Sequence, residues 1–319
     1  MESLIPQDYV YALAVSPAVQ RDGICFAAKA SGLYRSADGG NTWQDAYRSL
    51  NLPEPLATST VALSPDFEKD RQVLAGTAGG VLISRDAGEA WEFVQVLPER
   101  KLAKPFVTAL ALSPSFAQDR LALAATDQDG VLRSMDGGLS WASWNFGLLD
   151  LRILCLAFSP DFARDQTIYI GTESGIFCSK TGGRAWREVD FPMEAAPVLS
   201  LALSPQFASD GFLFAGTERS GLFISADQGK SWAGPLEGTL EEAVNPILID
   251  PADPLRLVLG IATGPLFSRD GGKTWSAWKE GWASPADVTA LAALGALDGE
   301  SPILVGCMDG SVGRVRSGR

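Results

Sequence analysis

Ser268-Arg-Asp-Gly-Gly-Lys-Thr-Trp275 is a turn that this chain writes six times. The other copies are Ser36-Ala-Asp-Gly-Gly-Asn-Thr-Trp43, Ser84-Arg-Asp-Ala-Gly-Glu-Ala-Trp91, Ser134-Met-Asp-Gly-Gly-Leu-Ser-Trp141, Ser179-Lys-Thr-Gly-Gly-Arg-Ala-Trp186 and Ser225-Ala-Asp-Gln-Gly-Lys-Ser-Trp232. Successive tryptophans lie 43 to 50 residues apart. That is the length of a four-stranded propeller blade, longer than an ankyrin or tetratricopeptide unit. The residue types have mechanical reasons. A short acidic side chain accepts bonds from backbone N–H groups just downstream and fixes a tight strand connection. Glycine takes the positive φ such a turn needs. The tryptophan offers a large apolar face to wedge between neighbouring blades.

Working outward, a second module precedes each turn. Leu201-Ala-Leu-Ser-Pro-Gln-Phe207 leads to Asp210 and Phe212-Leu-Phe-Ala-Gly-Thr217. A Ser-Pro pair with an aspartate six residues after the serine occurs five times, at Asp22, Asp70, Asp119, Asp165 and Asp210. Each repeat reads as four short strands: an alternating first strand, the Leu-Ala-Gly-Thr run, a Gly-Val-Leu-Ile-Ser run, and the segment opening on Trp. First strands are expected near Val10, Thr60, Val107, Ile153, Val198, Pro246 and Val288. The expected fold is therefore all-β: one seven-bladed β-propeller of four-stranded antiparallel blades over residues 1–319. The last repeat stops before a Trp strand, so residues 1–6 are expected to complete blade seven and clasp the ring. A count of six or eight blades stays open at this point.

Bulk properties narrow the function. The 319 residues carry 26 basic and 38 acidic side chains, a formal charge of −12. Such a field repels phosphate backbones and anionic membranes, so no nucleic-acid partner is expected. No apolar run is long enough to span a bilayer, so no membrane insertion is expected. The N-terminus lacks the basic start and apolar core of a signal peptide, which points to the cytoplasm. Cys25, Cys155, Cys178 and Cys307 are far apart and read as small hydrophobes in a reducing compartment, although one disulfide stays open. The chain has no histidine. That removes the commonest general base and metal ligand, and no cofactor or metal is expected.

The six turns resemble the Asp-box, or bacterial neuraminidase repeat, family, and the resemblance covers almost the whole chain. That family spans sialidases, xyloglucan-cleaving glycosidases, sortilin-like receptors and photosystem II assembly factors, the last nearest in size and layout. The resemblance implies a structural role for Asp38, Asp86, Asp136, Asp227 and Asp270, away from any active site. Blade four has Thr181 in the aspartate position, which suits a turn stabiliser and not a catalytic acid. Sialidases carry an Arg-Ile-Pro segment near the N-terminus, whereas here Leu4 precedes Ile5-Pro6. Xyloglucan glycosidases use a cleft between two propellers, and this chain encodes one.

Strand alternation sends the Ser-Pro turns and Asp boxes to one face of the ring. Loops between second and third strands, and the blade linkers, leave the other, variable face. Its candidate binding residues are Lys29, Asp127, Asp129, Glu173, Glu218, Arg219 and Asp309, an acidic mouth suited to a cationic partner. Trp144, Trp278 and Trp282 near the linkers are candidates for a protein hot spot or a sugar platform, with extra blade packing as their alternative role. Two functions follow. One is a non-catalytic binding or assembly scaffold presenting the variable face to a protein. The other is a glycan-binding or glycoside-cleaving protein using Glu173 with Asp127 or Asp129, which requires carboxyl groups about 5 to 9.5 Å apart.

Overall fold

The computed structural model describes residues 8–96, 104–235, 242–278, 287–298 and 301–316. Seven antiparallel sheets follow one another around a ring, and within each the strands pair in chain order. The inner strands are Val10–Val15, Thr58–Leu63, Val107–Leu112, Ile153–Phe158, Val198–Leu203, Ile247–Ile249 and Val288–Ala293. Five sheets have four strands, and blade five reduces its fourth to a single bridge, Ile224 with Ala233. Blade seven shows three described strands, ending with Val312–Val315. The strand expected from residues 1–6 lies outside the described residues.

Each second strand is covered on both faces by neighbouring blades, which is why it is almost entirely apolar, with a polar residue only at its end in five blades, and does not alternate. Val73–Thr77, Ala122–Thr126 and Ile168–Thr172 are buried at every position. Close approach between blades also explains the glycine of the Leu-Ala-Gly-Thr run. A Cβ on Gly76 would lie 2.6 Å from Val107 Cγ1 in the next blade, and one on Gly306 would lie 2.4 Å from Val10 Cγ1. The second contact joins blade seven to blade one.

Seven hydrophobic clusters fill the seven seams between blades, so the core is a ring of interfaces. The box tryptophans are the wedges. Trp91 of blade two packs edge-on against Phe26 and Tyr47 of blade one, with ring centroids 6.4 and 5.5 Å away. Its indole N–H donates to Gly88 O at 3.1 Å. Among the described residues, the seam between blades seven and one has the fewest buried hydrophobic side chains: Cys25, Ala292, Leu294 and Leu304. Polar contacts reinforce it, with Thr289 Oγ1 donating to Val10 O at 2.6 Å and Lys29 Nζ to Gly310 O at 2.6 Å.

The Ser-Pro module proves to be more than a turn. Five one-turn helices occupy these loops: Val19–Asp22, Phe67–Asp70, Phe116–Asp119, Phe162–Asp165 and Phe207–Asp210. They are too short to show helical periodicity in sequence and are held by side chains. Ser204 Oγ donates to Asp210 Oδ2 at 2.5 Å and accepts the Gln206 N–H at 3.0 Å, while Asp210 Oδ1 accepts the Phe212 N–H at 3.0 Å. Blade six substitutes buried Asp250, whose carboxylate takes the Leu297 N–H of blade seven at 2.7 Å.

Candidate functional site

Two faces follow from this topology. On the first, the Asp box is a complete local network. Asp270 Oδ1 accepts the N–H groups of Lys273 and Thr274 at 3.0 and 2.9 Å, and Oδ2 accepts the Thr274 hydroxyl at 2.6 Å. Ser268 Oγ donates to Asp270 Oδ1 at 2.8 Å and accepts the Gly272 N–H at 2.9 Å. Bonds from Thr274, from its hydroxyl and then its N–H, hold the Asp270 pKa down at about 2. Those from Ser231 do the same to Asp227, also about 2. Asp38 is held lower still, first by the Thr42 hydroxyl. Asp86 and Asp136 make the same bonds to the N–H groups three and four residues on. Thr181 keeps one of these, its hydroxyl accepting the Ala185 N–H at 3.0 Å.

On the variable face, linkers dock against the loops between second and third strands. Asp127 N donates to Phe106 O at 3.1 Å, Gly130 N to Leu151 O at 3.0 Å and Glu218 N to Pro197 O at 3.0 Å. Docking brings new residues beside the acids read from the sequence. Arg152 spans both Glu173 oxygens at 3.0 and 2.8 Å, and Asp150 Oδ2 takes the Ser174 hydroxyl at 2.9 Å. The Glu173 carboxylate, through that bond and its charge, raises the Arg152 pKa, with Asp127 and Asp150 adding smaller contributions.

The other candidates are placed as follows. Glu218 pairs with Arg219 at 3.3 Å, and Lys29 with Asp8 at 3.6 Å. Asp309 accepts the Ser311 hydroxyl at 2.6 Å and its N–H at 2.9 Å, which lowers its pKa. Asp129 donates its N–H to Thr126 Oγ1 at 2.9 Å, and its carbonyl takes the Asn145 amide at 2.8 Å. Trp278 is 4% exposed and packs edge-on against Phe267 at 5.5 Å, so blade packing occupies its ring. Trp144 is half-buried beneath the Arg133 guanidinium, 4.8 Å from ring centroid to Cζ. Trp282 lies outside the described residues.

Asp8, Asp150 and Arg152 were not among the candidates, nor were the exposed apolar side chains Tyr11, Phe106, Leu151 and Met308. Most stand at or just before the start of an inner strand, and that position was the available signal. The face keeps its acidic excess, because the three added residues include two carboxylates and one cation. All four cysteines are free. Burial pushes the thiols of Cys25 and Cys155 up to about 12. Among the described residues, no group of three or more metal-ligating side chains comes together, and no helix is long and apolar enough to cross a membrane.

The family model for the BNR/Asp-box repeat matches residues 266–277, the sixth turn. No curated protein sequence matches the chain. Similar solved structures include a xyloglucanase from Xanthomonas campestris, with 19% identity and a TM-score of 0.75 over 97% of this chain and 52% of that one. The chain thus spans about half the length of that enzyme. They also include YCF48 bound to a D1 peptide, with 16% identity and a TM-score of 0.71 over 98% of this chain and 94% of that one. YCF48 from Cyanidioschyzon merolae gives 14% identity and a TM-score of 0.69 over 97% and 96%. At these identities the likeness concerns the fold.

Proposed function

This chain is a seven-bladed propeller of BNR/Asp-box repeats, and we propose that it works as a non-catalytic binding and assembly scaffold. Its variable face receives a segment of another protein that carries basic and apolar side chains. The observation behind this reading is the company kept by the acids of that face. Exposed Tyr11, Phe106, Leu151 and Met308 stand among loops with an excess of carboxylates. Apolar anchors ringed by charge are the composition of a protein-binding surface. The acids select a cationic partner and steer its approach.

The state of the carboxylates favours binding over glycoside cleavage. A cleaving pair needs one acid to give a proton and another to attack or activate water across an open gap. Here both oxygens of Glu173 are taken by Arg152, which also feels the Asp127 charge. The similar ring of YCF48 has been solved with a peptide of another protein bound. The xyloglucanase contains about twice the length of this chain. A cytoplasmic setting belongs to this reading and is supported by four free cysteines.

The experiment is affinity purification of the native protein beside a quadruple variant, Asp127→Lys, Asp129→Lys, Glu173→Lys and Glu218→Lys. A control carries charge reversals on the Asp-box face, at Lys69 and Glu92. The partner should be retained by wild type and control and lost from the quadruple variant, with unfolding midpoints compared in parallel. Equal retention by all three, with all three folded, would place the interface elsewhere. Hydrolysis of an oligosaccharide by the purified wild type, abolished by Glu173→Gln, would replace the binding reading with the glycosidase one.

A further inference from the structure

The residue just before the box serine is arginine in two repeats, Arg35 and Arg133, and Arg314 holds the same strand position in blade seven. Each projects toward the box of the following blade, where the residue five places after the box serine can receive it. Arg314 donates to Asn41 Oδ1 at 3.0 Å. Arg35 reaches Glu89 Oε1 at 3.0 Å, and its Nε donates to Ala87 O at 2.8 Å. Two of the three arginines thus end on an acceptor supplied by the next blade.

Arg133 has no such acceptor. The equivalent residue in blade four is Arg184, whose positive charge acts on Arg133 and whose Nε is already spent on Thr181 O at 2.8 Å. The box aspartate that would have offset this charge is Thr181. The Arg133 Nε is buried and lacks a hydrogen-bond partner. Among the described residues its guanidinium has only the face of Trp144. Asp119 acts on it from a distance, but that carboxylate already takes the Ser113 hydroxyl at 2.6 Å and the Leu121 N–H at 2.9 Å. Lys180 within the box and Arg187 just after it add two more cations in sequence, in a chain whose formal charge is −12. A guanidinium partly withdrawn from water without an acceptor is costly, and a planar fork matches an oxyanion best.

We propose that Arg133 and Arg184 form an oxyanion site at the seam of blades three and four, with Trp144 behind it, for a carboxylate or phosphate group. The site uses none of the acids of the variable face, although Trp144 lies near a linker of that face, and it stands or falls independently of the proposed function. It is an inter-blade contact left open: where blades one and two close it with Glu89, blades three and four leave the anion to be supplied from outside.

The test titrates the full-length protein with sodium phosphate and with sodium acetate, each against sodium chloride at matched ionic strength. Thermal midpoint and tryptophan fluorescence are read together. Wild type should gain stability and change its fluorescence in an oxyanion-dependent, saturable way. Arg133→Met should weaken this response by at least about tenfold, the size of one lost charge-assisted hydrogen bond. Arg184→Glu should raise the midpoint without added anion and abolish the response, because it rebuilds the arrangement of Arg35 with Glu89. A response to both salts assigns a carboxylate-capable site, and a response to phosphate alone assigns a phosphate site. General salt stabilisation acts on wild type and both variants alike. An equal response in all three, or none in wild type, overturns the proposal.

Discussion

At the scale of single residues, the box aspartate is the clearest case of side chain dictating backbone. Its oxygens collect donors from the residues three and four places on, and those bonds are stronger while the carboxylate is ionised. The folded pKa of about 2 for Asp227 and Asp270 lies below the ordinary value of about 3.9. The sign follows from linkage: this stabilisation is complete above about pH 4 and is lost as pH falls toward 2. Midpoints should be flat with respect to these groups from pH 7 to 5 and fall steeply below 4. An Asp227→Asn, Asp270→Asn double variant should show a shallower acid fall, measured by circular dichroism melts across that range. The Ser-Pro module predicts a larger local effect, because its serine is buried. Ser204→Ala removes a hydroxyl from Asp210 Oδ2 and an acceptor from Gln206. It should cost about 1 to 3 kcal/mol in denaturant unfolding.

At the scale of elements, the strand pattern was legible and the loop helices were not. Alternation in Leu110 and Leu112, and the unbroken Val73–Thr77 run, marked the first and second strands of a blade. A single helical turn such as Phe207–Asp210 leaves no period to read, since Ser204 and Asp210 hold it by bonds six residues apart. The inner strands hold a second feature that hydropathy does not encode. A bulge near the start of six of them breaks the alternation, and in three the bulged side chain, Ser59, Thr108 or Thr289, reaches the next blade. Through it Thr108 Oγ1 donates to Ile153 O at 2.6 Å, and Thr289 Oγ1 to Val10 O at 2.6 Å. Thr108→Val keeps the shape and removes the donor, so a loss of about 1 kcal/mol is expected. The wedge is worth more. Trp91→Ala empties a site lined by Phe26 and Tyr47 and should cost about 3 to 5 kcal/mol, read as a shift in urea midpoint at constant slope.

At the scale of the whole molecule, the repeated Asp-box turns and the proposed binding loops sit on opposite faces. Six similar turns at nearly constant spacing gave the ring because repetition is itself a fold signal. The variable face gave only candidate charges, because pairing depends on which linker lands on which loop. Nothing in Arg152 or Glu173 alone says that the linker from blade three will bridge them. Trp278 illustrates the converse: its place in the chain left a surface role and blade packing both open, and its burial fits blade packing. Ring closure can be tested through Gly306, where a larger side chain would force Val10 away. Gly306→Val should destabilise the whole domain by about 1 to 3 kcal/mol and leave unfolding a single transition.

The central claim is that partners are received on the variable face. Amide hydrogen exchange on the purified complex, compared with the free chain, tests it most directly. The account predicts new protection at residues 127–130, 150–152, 173–175, 218–221 and 308–311, with the Asp boxes unchanged. Protection confined to the Asp boxes and the one-turn helices, with those loops exchanging as in the free chain, would contradict it.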